Sequence, residues 1–352
     1  MTHHLRILQV GLGDWGRDWA WRINPSVAEV EVVGYVDSDP RALQLLGKKL
    51  PVSEDRRFRS LGEAIQSARP EAVLVTTTLA GHEPVTRMAL EADLHVLVEK
   101  PFTDTLECAR ELVDLAAARN RTLMVSQNYR HFPAPRMAAT LAAEGSLGEL
   151  YAITIDFRRN ATSPPKPRRR HHGDGQPLLL DMSIHHFDLL RLILGREPDS
   201  VRCEAQSPPW SGFAGPPAAV ASIRFGGVEV SYRGSWISAG PITPWAGEWT
   251  MEFEGGQVAW MSRGDRGVLN DRVVVRPRGG RPRVVPLPSM ERVDRAGTLT
   301  EFATALREGR DPETSGRDNL KTLAFTLAAI ESAEHDSWVN VTPETRHGAG
   351  KL

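Results

Sequence analysis

The sequence predicts an α/β protein: an N-terminal Rossmann doubly wound sheet, then a C-terminal α/β domain with a large, mainly antiparallel open sheet. Three observations predict it. Residues 5 to 126 alternate short apolar runs with amphipathic helical stretches. The first run leads into Gly11-Leu12-Gly13-Asp14-Trp15-Gly16. After about residue 127 the pattern shifts to alternating segments such as Val228–Ile237 and Thr250–Phe253, which suit antiparallel strands with one solvated face.

The apolar runs of the first part are Leu5–Val10, Val30–Val36, Ala72–Thr76, Leu94–Val98 and Thr122–Ser126. Their nearly continuous Val, Leu and Ile content fits strands covered on both faces, as in a parallel sheet. Helices fit between them. Asp39-Pro40 supplies an N-cap and a first-turn proline. Ser60 and Glu63 have capping-box spacing ahead of a helix ending near Ala68. Residues 105–119 carry an apolar stripe at helical spacing. In the second part, helices are expected from Pro135 to Glu144, from Ser183 to Leu194, and over Leu299–Glu308 and Asn319–Ser332. The domains are therefore drawn as 1–127 and 128–352. The tail around Gly348-Ala349-Gly350 is expected to fray.

Composition narrows the class. A chain of 352 residues with 41% hydrophobic and 25% charged residues can bury two ordinary cores. A formal net charge of −1 gives no electrostatic case for nucleic acid or a membrane surface. No apolar run approaches the ~20 residues that span a bilayer, and no signal-peptide pattern precedes the first strand, so a cytoplasmic location is expected. Two distant cysteines, Cys108 and Cys203, read as thiols in a reducing compartment rather than as a disulfide or metal site.

The glycine motif has the context a dinucleotide fingerprint needs. It follows a strand, opens a helix, and an acidic residue, Asp37, ends the second strand about 20 residues on. Gly11 permits the tight turn, Gly13 lets backbone approach the pyrophosphate, and Gly16 allows close helix–strand packing. The amides of Asp14, Trp15 and Gly16 then face the phosphates. The Asp37 carboxylate can accept from both adenosine ribose hydroxyls and repels a 2′-phosphate, which favours NAD. Arg41 close by keeps NADP possible.

Further motifs arrive in a recognisable order. Glu99-Lys100-Pro101 follows the strand His95-Val96-Leu97-Val98, and His82 stands before a helix that precedes it. Asn128-Tyr129-Arg130 with Phe132-Pro133 comes next, then Asp181-Met182-Ser183-Ile184-His185-His186-Phe187-Asp188. Glu301-Phe302, Gly309-Arg310 and Pro312-Glu313-Thr314-Ser315-Gly316 close the set. Over almost the whole chain this resembles the glucose–fructose oxidoreductase/inositol dehydrogenase (Gfo/Idh/MocA) family. Departures stand at Thr77-Thr78-Leu79, where the family often has Thr-Pro-Asn, and at Asp93 and Ser183, where it usually has glycine. The glycine run before the aspartate is reduced to Gly175-Gln176-Pro177.

The resemblance implies cofactor contacts from Thr77, His82, Glu99, Lys100 and Asn128 beside the fingerprint. It also implies a catalytic set of Lys100, Asp181 and His185, with the active site in a cleft between the domains; hydride transfer needs no metal here. The chemistry is consistent: an ammonium just past a strand's carboxyl end can stabilise developing charge on the substrate oxygen. Asp181 and His185, four apart, share a face if the segment is helical, and histidine can exchange the substrate proton near neutrality. Taken singly, Lys100 could instead pair with Glu99, Asp181 could cap a helix, and His185 could be a satisfied interface histidine. His186 reads as packing or surface, and Asp188 as a structural hydrogen-bonding group. His171, His172 and Asp174 beside the motif invite a zinc reading but lack tight ligand spacing. The basic segment Arg158, Arg159, Lys166, Arg168, Arg169, Arg170 reads as a solvated loop or subunit contact, with an acidic sugar as the sharper alternative. Trp210, Trp236, Trp245 and Trp249 could stack on a sugar, packing being the blander role.

The function expected is NAD-dependent oxidation of a secondary hydroxyl on a sugar, sugar acid or cyclitol, or the reverse reduction, by a homodimer or homotetramer. The alternatives are an NAD-dependent glycosidase or epimerase using transient oxidation, and a nucleotide-sensing regulator without catalysis.

Overall fold

A computed structural model describes residues 4–162 and 175–341. The chain divides into two units, one of residues up to Asn128 together with Arg292–Leu320, the other of Tyr129–Glu291 and the residues from Lys321. The sequence reading drew one boundary, at 127/128. The return of 292–320 to the first unit has a plain cause, given below.

The first unit runs β1 (Leu5–Val10), α1 (Asp14–Asp18), β2 (Val30–Val36), α2 (Pro40–Lys49), β3 (Arg57–Phe58), α3 (Leu61–Ala68), β4 (Ala72–Val75), α4 (Leu79–Glu91), β5 (His95–Glu99), α5 (Leu106–Ala118) and β6 (Leu123–Ser126). Six parallel strands lie in the order β3-β2-β1-β4-β5-β6. The order reverses between β1 and β4, the place where doubly wound sheets open their crevice. Asp39 caps α2 by accepting from the Arg41 amide, and Ser60 caps α3 by accepting from the Glu63 amide. His82 lies inside α4, not ahead of a helix as the sequence reading had it. The interior Pro84 hid that helix: a proline there removes an intrahelical N–H and ordinarily marks a helix limit, yet α4 runs through it.

The second unit contains α6 (Pro133–Glu144), β7 (Leu150–Arg158), α7 (Ile184–Leu194), β8 (Ser200–Gln206), β9 (Ala218–Phe225), β10 (Val228–Ser235), β11 (Glu248–Phe253), β12 (Gly256–Met261), β13 (Arg272–Pro277) and β14 (Arg283–Val284). After α8 (Asp294–Glu308) and α9 (Gly316–His335), β15 (Val339–Asn340) completes a nine-stranded sheet, β14-β13-β12-β11-β7-β10-β9-β8-β15. Among the described strands of this sheet, only β7 and β10 pair in parallel. Strands β9 and β10 alternate buried and exposed along their length, so one face carries Val230, Tyr232, Ile223 and Phe225 into the core.

Helix α8 explains the division into units. Its Leu299 and Phe302 join a buried cluster with Ile7, Trp19, Val27, Leu74, Leu97 and Met124. Burying such side chains stabilises by roughly 1.5–3 kcal/mol each. The Thr314 carbonyl then accepts from the Val125 amide, so the loop after α8 pairs beside β6. Cys108 and Cys203 are thiols, and burial pushes Cys203 up to about 12, which leaves it unreactive. No described helix is long and apolar enough to cross a membrane.

Candidate active site

The cofactor motif is built as its glycines require. Gly11 has φ +96°, and a Cβ there would lie 2.6 Å from the Thr77 amide nitrogen. A Cβ on Gly16 would lie 2.0 Å from the Gly11 carbonyl oxygen. Gly13 is different: a Cβ there would meet nothing within 4 Å. Its lack of a side chain therefore serves no protein neighbour and leaves room against the backbone, as a pyrophosphate needs. Helix α1 continues without a break into a π-helical turn, Trp19–Ile23.

Asp37, at the end of β2, accepts from the Leu12 amide at 2.6 Å and from the Asp39 amide at 2.9 Å. Its carboxylate thus braces the glycine turn and keeps lone pairs for a ribose. Arg41, in the first turn of α2, is exposed. The residues present fit a dinucleotide: open backbone at the turn, and an acidic acceptor on the neighbouring strand.

The remaining candidates of this unit stand at the carboxyl ends of β4, β5 and β6. Thr77 follows β4 and donates to the Thr78 carbonyl. His82 is buried, with Nδ1 2.7 Å from the Pro101 carbonyl oxygen, so it donates there and holds the Lys100-Pro101 corner. Glu99 is buried and accepts from Trp19 Nε1 at 2.7 Å and from Ser126 Oγ at 3.4 Å. It ties β5, β6 and the glycine-turn helix together. Lys100 is half-buried immediately beyond β5. Asn128 Nδ2 donates to Asp294 Oδ1 at the start of α8. Arg295, which sequence reasoning missed, lies on the glycine-turn helix: its Cζ is 4.0 Å from the Trp15 ring centroid and its Nη2 pairs with Asp18. No motif signals it, because its partners stand 277 and more positions earlier.

In the second unit the Asp181 motif opens a helix. Leu179–Ser183 is π-helical and runs directly into α7, so Asp181 and His185 lie about one turn apart. Such turns occur disproportionately at functional sites. His185 is buried, its ring stacked on Tyr129 at 4.0 Å and 1°. Arg263 lies over the same tyrosine and donates to its hydroxyl at 3.0 Å. Tyr129 and Arg263 were also missed as supports of this site.

Two neighbours of His185 are structural. His186 Nε2 is 3.1 Å from the Trp245 carbonyl oxygen, which can only accept. That nitrogen therefore carries the proton, and Nδ1 accepts from the Tyr232 hydroxyl at 3.2 Å. Tyr232 in turn accepts from Ser183 Oγ at 2.7 Å, so the serine standing in place of the family's glycine finds a buried partner. Burial holds His186 at about 4, and it stays neutral. Asp188 accepts from Arg130 through both oxygens at 2.7 Å and from Thr322 Oγ1 at 2.8 Å.

Arg158 pairs with Asp156 and Glu248, and Arg159 with Asp265 while stacked 4.1 Å over Trp245. Lys166, Arg168, Arg169, Arg170, His171, His172 and Asp174 lie outside the described residues, as does the tail near Gly348. Among the described residues no group of three His, Cys, Asp or Glu is placed to hold a metal ion. Trp236 and Trp249 are buried in packing, the latter stacked on Trp260, while Trp210 is 69% exposed.

Residues 5–127 match the profile of the oxidoreductase family with an NAD-binding Rossmann fold, and residues 136–259 match the Gfo/Idh/MocA C-terminal domain. The chain is 26% identical over 351 residues to D-apiose dehydrogenase of Paraburkholderia graminis, covering 94% of this chain and 88% of that protein. It is 29% identical over 203 residues to inositol 2-dehydrogenase of an Arthrobacter species, covering 57% and 58% of the two chains. Among solved structures it resembles an oxidoreductase from Agrobacterium radiobacter in complex with NAD+, L-tartaric acid and magnesium, with a TM-score of 0.83 at 21% identity, over 96% of this chain and 98% of that one. An inositol dehydrogenase homolog from Azotobacter vinelandii, complexed with NADH and myo-inositol, gives a TM-score of 0.80 at 21% identity, over 97% and 98%. With both of its domains matched in order on a Rossmann unit whose glycine turn fits a dinucleotide, this chain belongs to the Gfo/Idh/MocA family of NAD-binding oxidoreductases.

Proposed function

We propose that the chain oxidises a secondary hydroxyl of a sugar, sugar acid or cyclitol, or reduces the corresponding ketone, with Lys100, Asp181 and His185 as its catalytic set. The observation that carries the reading is Lys100 standing one residue beyond β5 of a family-matched NAD-binding unit. Bound NAD supplies the hydride acceptor. The Lys100 ammonium donates to the substrate oxygen and stabilises charge as the O–H proton leaves. His185 takes that proton, and its stacking on Tyr129 restricts the ring to one plane. Asp181, about one turn earlier, orients the substrate. Gly11, Gly13, Asp14, Trp15, Gly16 and Asp37 hold the adenosine and pyrophosphate, with Thr77, His82, Glu99 and Asn128 shaping the β4–β6 side.

Relatives that act on apiose and inositol support a polyhydroxylated substrate. The solvated face of the nine-stranded sheet, where Val220 is 45% exposed, supports self-association as a dimer or tetramer. The test is a screen of polyols, aldoses, uronic acids and inositols by NADH absorbance, with NADP in parallel. Turnover is expected with at least one class, falling by about 10²–10⁴ in Lys100→Ala and His185→Ala. NAD binding without turnover of any class would count against the reading.

A further inference from the structure

We propose that Arg295 is a positioning residue for the cofactor: from α8 it clamps the glycine-turn helix and fixes the Trp15 indole as a wall for the nicotinamide half of the dinucleotide. The inference rests on the reading of Trp15 as lining the cofactor site.

Arg295 meets three residues of one helical run. Its guanidinium carbon lies 4.0 Å from the Trp15 ring centroid and 5.6 Å from that of Trp19, and Nη2 pairs with Asp18. Positions 15, 18 and 19 are spaced three and four apart, so they form one face of the run. The guanidinium is buried, and its Nε and Nη1 make no hydrogen bond. An arginine serving only as an ion-pair partner would not leave two buried donors unspent, since a buried unpaired donor is destabilising. A position over the indole explains the arrangement: the ring face offers the cation its attraction and supplies the donors no acceptor.

Trp15 is held on one side in this way and is still 38% exposed. An indole so displayed beside the open backbone of Gly13 is a surface prepared for a ligand rather than for the core.

The half of the ligand follows from the sheet order. Asp37 ends β2, on one side of β1. The Arg295 cluster belongs to the other side: Trp19 donates to Glu99 at the end of β5, and Asp294 accepts from Asn128 just after β6. With adenosine ribose at Asp37, the nicotinamide half lies toward β4–β6, where Trp15 is pinned.

The test is a double-mutant cycle on W15A and R295M, read by calorimetric binding of NAD and of AMP, with thermal unfolding as the fold check. Each single variant is expected to weaken NAD about tenfold, the double variant no more than either, and AMP binding to change less than about twofold. D18N, which removes the ion pair but not the stack, is expected to lose less than R295M. Loss of NAD affinity in W15A but not in R295M would overturn the role of Arg295 alone. No loss in W15A would overturn the reading of Trp15 as well. Equal losses for NAD and AMP, or additive losses in the cycle, would reduce Arg295 to a structural anchor and overturn the proposal. If R295M does not fold, the same cycle with R295K decides between these outcomes, because lysine keeps the charge and the Asp18 pair but not the flat stacking surface.

Discussion

Asp37 carries two tasks with one side chain. It holds the glycine turn through the Leu12 and Asp39 amides, and in the proposed role it receives a ribose. Asp37→Asn keeps only one of the two acceptors that brace the turn, because its amide nitrogen cannot accept, and it removes the charge that repels a 2′-phosphate. NAD affinity is expected to fall about tenfold, consistent with hydrogen bonds to charged groups at ~1.5–3 kcal/mol, while NADP affinity rises. Calorimetric titration of both dinucleotides checks it. An unchanged NAD/NADP ratio would remove Asp37 from cofactor selection. Asp37 was legible in the sequence because its distance from Gly16 is set by one βαβ unit. Arg295 was not, because it reaches the same turn from the far end of the chain, where nothing local marks its purpose.

Among the elements, the helix beginning at the Asp181 motif shows how the proposed reactive segment is anchored. Arg130–Asp188 joins the segment ahead of α6 to α7, Thr322 adds α9, and the Ser183–Tyr232–His186 chain adds β10. His186 gives this anchoring a pH signature. Its folded value, about 4, lies below the ordinary 6.5, so the unfolded chain takes up a proton first as pH falls. Stability is unaffected above about 7, declines as pH falls from about 6.5 to 4, and levels below that, with at most about 3 kcal/mol at stake. Denaturant unfolding of the wild type and His186→Gln across pH 7 to 4 is expected to show a shallower decline in the variant. Parallel curves would exclude His186 as the source. The strands β1 and β2 were read to the residue because buried parallel strands have abrupt apolar limits. Helix α4 was obscured by Pro84, and the π-helical turn at Asp181 has no sequence period of its own. The helical motif was legible, but the Tyr129 stack that orients His185 was not, since it joins residues 56 positions apart through the fold alone.

For the whole molecule, order was more legible than composition. The near-neutral charge and ordinary residue content named no function. The succession of fingerprint, Glu99-Lys100-Pro101 and Asp181…His185 did, and both halves of the chain match one family in that order. Two of the departures from the family pattern, Ser183 and Gly175-Gln176-Pro177, lie beside the proposed substrate motif, which is why the sequence leads to a chemistry rather than to one sugar. The most direct test of that chemistry follows the hydride itself. Given a substrate from the screen deuterated at the reacting carbon, mass spectrometry of the reduced cofactor is expected to show NADH carrying the deuterium, in amounts equal to the ketone formed. Product formed without net NADH, with the cofactor only transiently reduced, would contradict a dehydrogenase and assign the chain to the glycosidase or epimerase chemistry that borrows the same step.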